Sequence, residues 1–184
     1  MLTAWGDESG SQPGNDPGTY ILSAVLLDDT EEQHVRAEMQ ALQLPGEKKL
    51  HWHSASADQR LEFIEVVASL PVCGIVAVHH SADADDRRHR RKCLEYLLPH
   101  LAYLNCGSLT LESRGGADAS DYDIVQKFRA QRVLTADLRL GHRIGRDEPV
   151  LWTADIVCGA VVQHRVGNST YLDKLGGMIE MRSI

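Results

Sequence analysis

Apolar positions along the chain follow two periods. Residues 2–7 read as a short strand that ends at Asp7. Residues 11–18 (SQPGNDPG) are dense in turn formers. Residues 20–27 are a continuous apolar run, the pattern of a strand buried on both faces, so the two strands are expected to pair as a hairpin. Residues 72–80 form a second β-rich run. Residues 108–113 alternate, with Leu109 and Leu111 on one face and Thr110 and Glu112 on the other.

The remaining apolar positions recur at helical spacing. Thr30-Glu31-Glu32-Gln33 fits a capping box before Val35, Met39 and Leu42, and Pro45-Gly46 ends that helix. Ser56 or Asp58 caps a second helix to about Leu70, with Leu61, Ile64 and Ala68 inward. Residues 83–104 carry the stripe Cys93, Leu94, Leu97, Leu98 and Leu101, with Pro99 a candidate kink. A short helix starts at Ser120–Asp123, an edge strand is expected within 133–142, and a strongly apolar helix covers about 150–166. Strands mix with helices throughout, which is an α/β or α+β pattern.

A chain of 184 residues suits one domain, residues 1–184, with a substantial core. No apolar run is long enough to span a bilayer and the N-terminus lacks signal-peptide character, so a cytoplasmic location is expected. Cys73, Cys93, Cys106 and Cys158 are far apart, lie in expected strands or helices, and read as reduced, partly buried thiols. A net charge of −7 argues against nucleic-acid binding through the overall field but leaves room for a local basic face. Phosphate-binding loop, dinucleotide and hydrolase-elbow motifs are missing from the sequence.

Two acids stand in apolar surroundings. Asp7 closes the first strand, and Asp155 lies among Trp152, Ile156, Val157, Val161 and Val162. Buried carboxylates need compensation, and a metal ion is a common one at catalytic sites. Locally, Asp7 fits a turn residue equally well, and Asp155 fits a first-turn Asp behind a Thr153 cap. Gly159, one turn beyond, leaves room for another element to approach the Asp155 face. Glu112 is placed to join Asp7 if their strands are neighbours, with Asp121 and Glu47 as further carboxylates. His51 and His53 alternate in a polar segment and offer a transition-metal pair or exposed loop histidines, whereas His79 and His80 point to opposite faces. The basic run 87–92 holds Arg87, Arg88 and Arg91 near a helix N-terminus, a candidate phosphate contact or a solvated, self-paired face.

Three blocks resemble the DUF3800 family, a bacterial and phage group regarded as RNase H-like. Gly6-Asp7-Glu8-Ser9-Gly10 with its following turn and strand resembles the opening hairpin. Lys49-Leu50-His51-Trp52 resembles the middle block, with lysine where an acid is common. Trp152–Ala160 is similar to the closing block. The resemblance implies an α/β, RNase H-like fold, a central mixed β-sheet flanked by α-helices, with Asp7 and Asp155 close together. It implies a nuclease or related phosphodiester hydrolase that uses Mg²⁺ or Mn²⁺ held by Asp7, Glu112 and Asp155, with Glu47 and Asp121 in reserve. His51 or Lys49 would contact the scissile phosphate or assist proton transfer, and Arg87, Arg88 and Arg91 would meet nucleic acid, DNA or RNA. The alternative is a catalytically inactive module that binds nucleic acid or a protein partner. A homodimer is a further option, and a His51/His53 transition-metal enzyme is a third reading.

Overall fold

The computed structural model describes residues 1–10, 14, 16–134 and 137–184. Its centre is a six-stranded sheet in the order β5-β4-β1-β2-β3-β6. The strands are β1 (Leu2–Ser9), β2 (Thr19–Asp28), β3 (Cys73–His80), β4 (Ser108–Glu112), β5 (Arg139–Arg143) and β6 (Ile179–Ser183). β1, β2 and β3 form an antiparallel meander, whereas β4 runs parallel to β1, β5 to β4 and β6 to β3. The helices are α1 (Glu32–Ala41), α2 (Ala57–Ser69), α3 (Asp86–Tyr103), α4 (Ala119–Ala130), α5 (Val150–Arg165) and α6 (Thr170–Leu175).

The period-two pattern of the central strands sends successive side chains to opposite faces, and each face carries its own core. Trp5, Ile21, Val25, Val76 and Val78 pack with residues of α1, α2, α5 and α6. Ala4, Leu22, Leu26, Leu109 and Leu111 pack with the α3 stripe and with Val125 and Phe128 of α4. The continuous apolar run of β2 is therefore explained: it is covered on both sides. Pro99 is accommodated inside α3. The hairpin expected from the first two apolar runs forms in full register, Leu2 opposite Asp28 through Ser9 opposite Ile21. Part of its connection, residues 11–13 and 15, lies outside the described residues, as do residues 135–136 of the segment that leads into edge strand β5.

Several local expectations are corrected. Thr30 does not cap α1. Asp28 instead accepts from the Thr30 amide at 3.1 Å, a short 3₁₀ turn intervenes, and Glu32 reaches the sheet to accept from the Thr3 hydroxyl at 2.9 Å. In α2, Ser56 and Gln59 form the capping box, while Phe63, Ile64 and Val67 are buried and Ala68 is exposed. Cys106 lies in the loop before β4, and Cys73 is exposed; all four thiols are free. Among the described residues, no helix is long and apolar enough to cross a membrane.

Candidate functional site

β1 delivers Asp7 to the face covered by α5. Gly6 pairs with Leu111 across the parallel β1–β4 ladder, so the next rung places Glu112 beside Asp7 on that same face. The alternation of β4 achieves this by turning Leu109 and Leu111 into the opposite core. α5 begins at Val150, one turn earlier than a Thr153 cap would require. The Thr153 hydroxyl is spent on the Val150 carbonyl at 2.7 Å, so Asp155 sits in the second turn and caps nothing. Ser23, opposite Asp7 on β2, donates to the Ala154 carbonyl at 3.0 Å and ties α5 to the sheet. The Cys158 thiol adds a contact to the Asp7 carbonyl at 3.2 Å.

The segment between α1 and α2 closes the site. The Trp52 ring lies against Gly159, where a Cβ would come within 2.3 Å of the indole, so glycine is required for this approach. That packing aims the Trp52 amide at Asp155, to which it donates at 3.2 Å. Arg60 fixes the segment further, donating to the Trp52 carbonyl at 3.1 Å and to the His53 carbonyl at 3.0 Å. Lys49 then projects among the carboxylates, with its Nζ 2.5 Å from Glu112 Oε2. Gly145 backs Glu112 as Gly159 backs Trp52, since a Cβ there would meet the Glu112 carboxylate at 2.3 Å.

The electrostatics of this group are strained. Asp7 is buried, and its carboxyl is pushed up to about 8, first by desolvation and then by the negative charges of Glu112, Asp155 and Glu8. Burial also raises Asp155, against the opposing influence of Lys49 and the Trp52 amide. Burial would lower Lys49, but its hydrogen bond to Glu112 and the charges of Asp7 and Asp155 hold it above the ordinary lysine value. One ammonium thus serves three acids. Among the described residues, no three His, Cys, Asp or Glu side chains are already gathered tightly enough to hold a metal ion. The donor chemistry of Asp7, Glu112 and Asp155, hard oxygens carrying excess negative charge, nevertheless suits a divalent cation.

The other sequence-derived candidates are placed elsewhere. Glu47 is exposed in the turn after α1, with its amide donating to the Leu44 carbonyl at 3.1 Å. His51 is exposed at the rim near Asp155, and His53 lines a cavity of about 200 Å³ with Asp155, Trp52 and Gly159. His79 and His80 do diverge, His79 meeting His89 at 2.7 Å and His80 meeting Thr19 at 2.9 Å.

Asp121 belongs to a different cluster on the opposite face of the sheet. It is fully buried and binds Arg90 through Nη2 at 2.8 Å and Nε at 2.9 Å, His142 at 2.9 Å and Arg114 at 3.3 Å. Burial alone would raise the Asp121 carboxyl, but these hydrogen bonds bring it down to about 2. Arg90 also binds Glu8 at 2.7 Å. Sequence reasoning missed Arg90, which it merged with its solvated neighbours. The available signal was periodicity, because Arg90 extends the stripe of Cys93, Leu94 and Leu97 one turn back. Arg87, Arg88 and Arg91 line a cleft of about 470 Å³ between α3 and α4, together with Lys127.

No family model and no curated protein sequence matches the chain. Solved structures do, and they define its class: the fold is RNase H-like. RNase HII of Archaeoglobus fulgidus, determined in complex with PCNA, is similar with a TM-score of 0.53 at 13% identity, over 90% of this chain and 75% of that one. Ribonuclease H2 of Pyrococcus horikoshii is similar with a TM-score of 0.51 at 12% identity, over 98% and 81%. A variant of Bst-RNase HIII gives 0.53 at 10% identity, over 89% of this chain and 53% of its own length. Identities this low speak to the fold.

Proposed function

We propose that the chain is a divalent-metal-dependent nuclease or related phosphodiester hydrolase of the DUF3800 type, acting in the cytoplasm on nucleic acid. The observation that carries this reading is the convergence of Asp7, Glu112 and Asp155, from β1, β4 and α5, into a group whose charge is only partly offset. Burying like charges without a partner is costly, so a site that persists in doing so is suited to recruiting a cation. Mg²⁺ or Mn²⁺ is the expected ion, held by Asp7, Glu112 and Asp155. When bound, such an ion stabilises the charge that develops on a phosphodiester under attack.

The chain's own residues do the positioning. The Trp52 amide orients Asp155, and the Glu8 amide orients Asp7 by donating to its Oδ1 at 2.8 Å. Lys49 supplies positive charge beside Glu112, and His51 stands at the exposed rim, where a proton can pass to or from solvent. Arg87, Arg88 and Arg91 offer a separate contact for the backbone of a longer strand. Asp121 and Glu47 drop out of the ligand set on placement.

A second reading, an inactive module that binds nucleic acid or a protein partner, draws on the Lys49–Glu112 ion pair, which already engages one of the three acids. One experiment separates the two. Labelled RNA, DNA and RNA–DNA hybrid are incubated with the protein in Mg²⁺, in Mn²⁺ and in EDTA. The nuclease reading expects metal-dependent cleavage that both Asp7→Asn and Asp155→Asn abolish. Binding in EDTA with no cleavage under any condition supports the module.

A further inference from the structure

The cleft between α3 and α4 is walled by cations from both helices. Arg87, Arg88 and Arg91 stand on α3 and Lys127 on α4, around a volume of about 470 Å³, and all four are exposed. The buried Arg90–Asp121 pair also lines the cleft, but those two charges are spent on each other. Among the described residues, Arg87, Arg88 and Lys127 make no ion pair, and Arg91 has only Glu95 at 3.6 Å. Two further acids share the lining, Asp85 and Asp123. Asp85 is engaged in capping α3, where it accepts from the Arg88 amide at 2.8 Å. Four cations thus face two acids on a protein whose net charge is −7. A positive groove on a negative protein selects for a polyanion.

The cleft lies at the same end of the sheet as the carboxylate centre, on the other face. α4 follows β4 soon after Glu112, and α3 starts beside the end of β1, where a Cβ on Gly10 would stand 4.0 Å from Asp86 Oδ2. Glu8 joins the two places, because it lines the cavity beside Asp155 and binds Arg90 of the cleft at 2.7 Å. We propose that the cleft binds single-stranded nucleic acid without metal, holding the strand on which the carboxylate centre acts. A groove between adjacent helices suits one sugar–phosphate chain, with cations on both sides to track its backbone. Ile124 and the arginine stems offer an apolar surface, and guanidinium planes stack on base faces. A strand that reaches from this face to the α5 face has to turn over the end of the sheet. A single strand makes that turn, whereas a duplex stays stiff over about 150 base pairs. The proposal takes its ligand class from the nucleic-acid reading above and deepens it, but it requires no catalysis.

The test reads binding in EDTA, where no metal-dependent cleavage occurs. Fluorescence anisotropy follows the full chain on a labelled single strand of about 12 nucleotides, as DNA and as RNA, and on the blunt duplex of the same sequence. The better bound single strand should exceed the duplex by at least about tenfold, and its affinity should fall as salt rises. Arg88→Gln and Lys127→Gln, one from each wall, should each weaken binding about threefold or more and flatten the salt dependence. Asp123→Asn, which removes an acid from the lining, should strengthen binding. Lys174→Gln, a charge change on α6 at the other face of the sheet, should stay within about twofold. A duplex bound as tightly as the single strand, no binding, or Arg88 and Lys127 variants that bind as wild type does would overturn the proposal. Strand binding in EDTA with no cleavage in Mg²⁺ or Mn²⁺ would refute the nuclease reading and leave this one standing. Metal-dependent cleavage together with cleft variants that bind as wild type does would do the reverse.

Discussion

Asp7 and Glu8 are adjacent on β1, point to opposite faces of the sheet, and enter clusters of opposite character. On the α3 face, Glu8 and Asp121 surround Arg90, with Arg114 and His142 completing the partners of Asp121. Every charge there has a counter-charge, and Asp121 is held down at about 2. On the α5 face, Asp7, Glu112 and Asp155 share Lys49, and Asp7 is pushed up to about 8 by burial and by its neighbours. The difference separates two uses of buried carboxylates. A fully paired group locks helices to a sheet. A group left short of positive charge is costly to the fold and suited to a ligand that brings it.

The largest effect is expected where the pairing is complete. Asp121→Asn leaves Arg90 buried without its bidentate partner and should cost about 3–5 kcal/mol of stability in denaturant unfolding. A loss under about 1 kcal/mol would mean that the cluster holds little together. The same group predicts acid sensitivity. Because Asp121 is lowered from 3.8 to about 2 in the folded state, its contribution is present above pH 4 and lost as pH falls from 4 to 2. Asp121→Asn should therefore flatten the acid limb of the stability profile.

Next in size is the approach of Trp52 to α5. Gly159→Ala places a methyl group where the indole lies, so the ring must move, at about 1–3 kcal/mol. The Trp52 amide should then lose its hold on Asp155, and Mn²⁺ affinity should fall in calorimetry. Unchanged affinity would detach Trp52 from the site.

The last effect has the opposite sign. Asp7 is raised from 3.8 to about 8, so the folded state holds a proton that the unfolded state has already released in that range. Stability from this group is fully present below pH 4 and is lost as pH rises towards 8. Asp7→Asn should consequently stabilise the metal-free protein at pH 8, by on the order of 1 kcal/mol or more, and do little at pH 4. Destabilisation at pH 8 would place Asp7 with Asp121 among the structural acids.

Much of this comparison was legible in residue order. Asp7 and Asp155 stood out as acids in apolar segments, and the alternation of residues 108–113 put Glu112 on the correct face before its neighbour was known. Gly159 announced a close approach, though not that Trp52 would make it. Three things were hidden for physical reasons. The ion pair of Lys49 with Glu112 joins residues 63 positions apart, and nothing local marks such a contact. The Trp52 amide is a backbone donor that any residue type would have supplied. Arg90 and Asp121 were obscured by the charged residues beside them, although each lies on an apolar stripe, Asp121 with Val125 and Phe128. Read as interruptions of those stripes, they would have been recognised as a buried pair.

One variant should gain stability and lose function together. Asp7→Asn is compared with wild type for Mn²⁺-dependent cleavage of labelled nucleic acid at pH 8, with thermal unfolding followed in the metal-free samples. The expected result is a loss of cleavage of roughly 100-fold or more alongside an unfolding temperature equal to or above wild type. Cleavage that survives the substitution, or a fold that weakens with it, would contradict the assignment of Asp7 to a cation-recruiting centre.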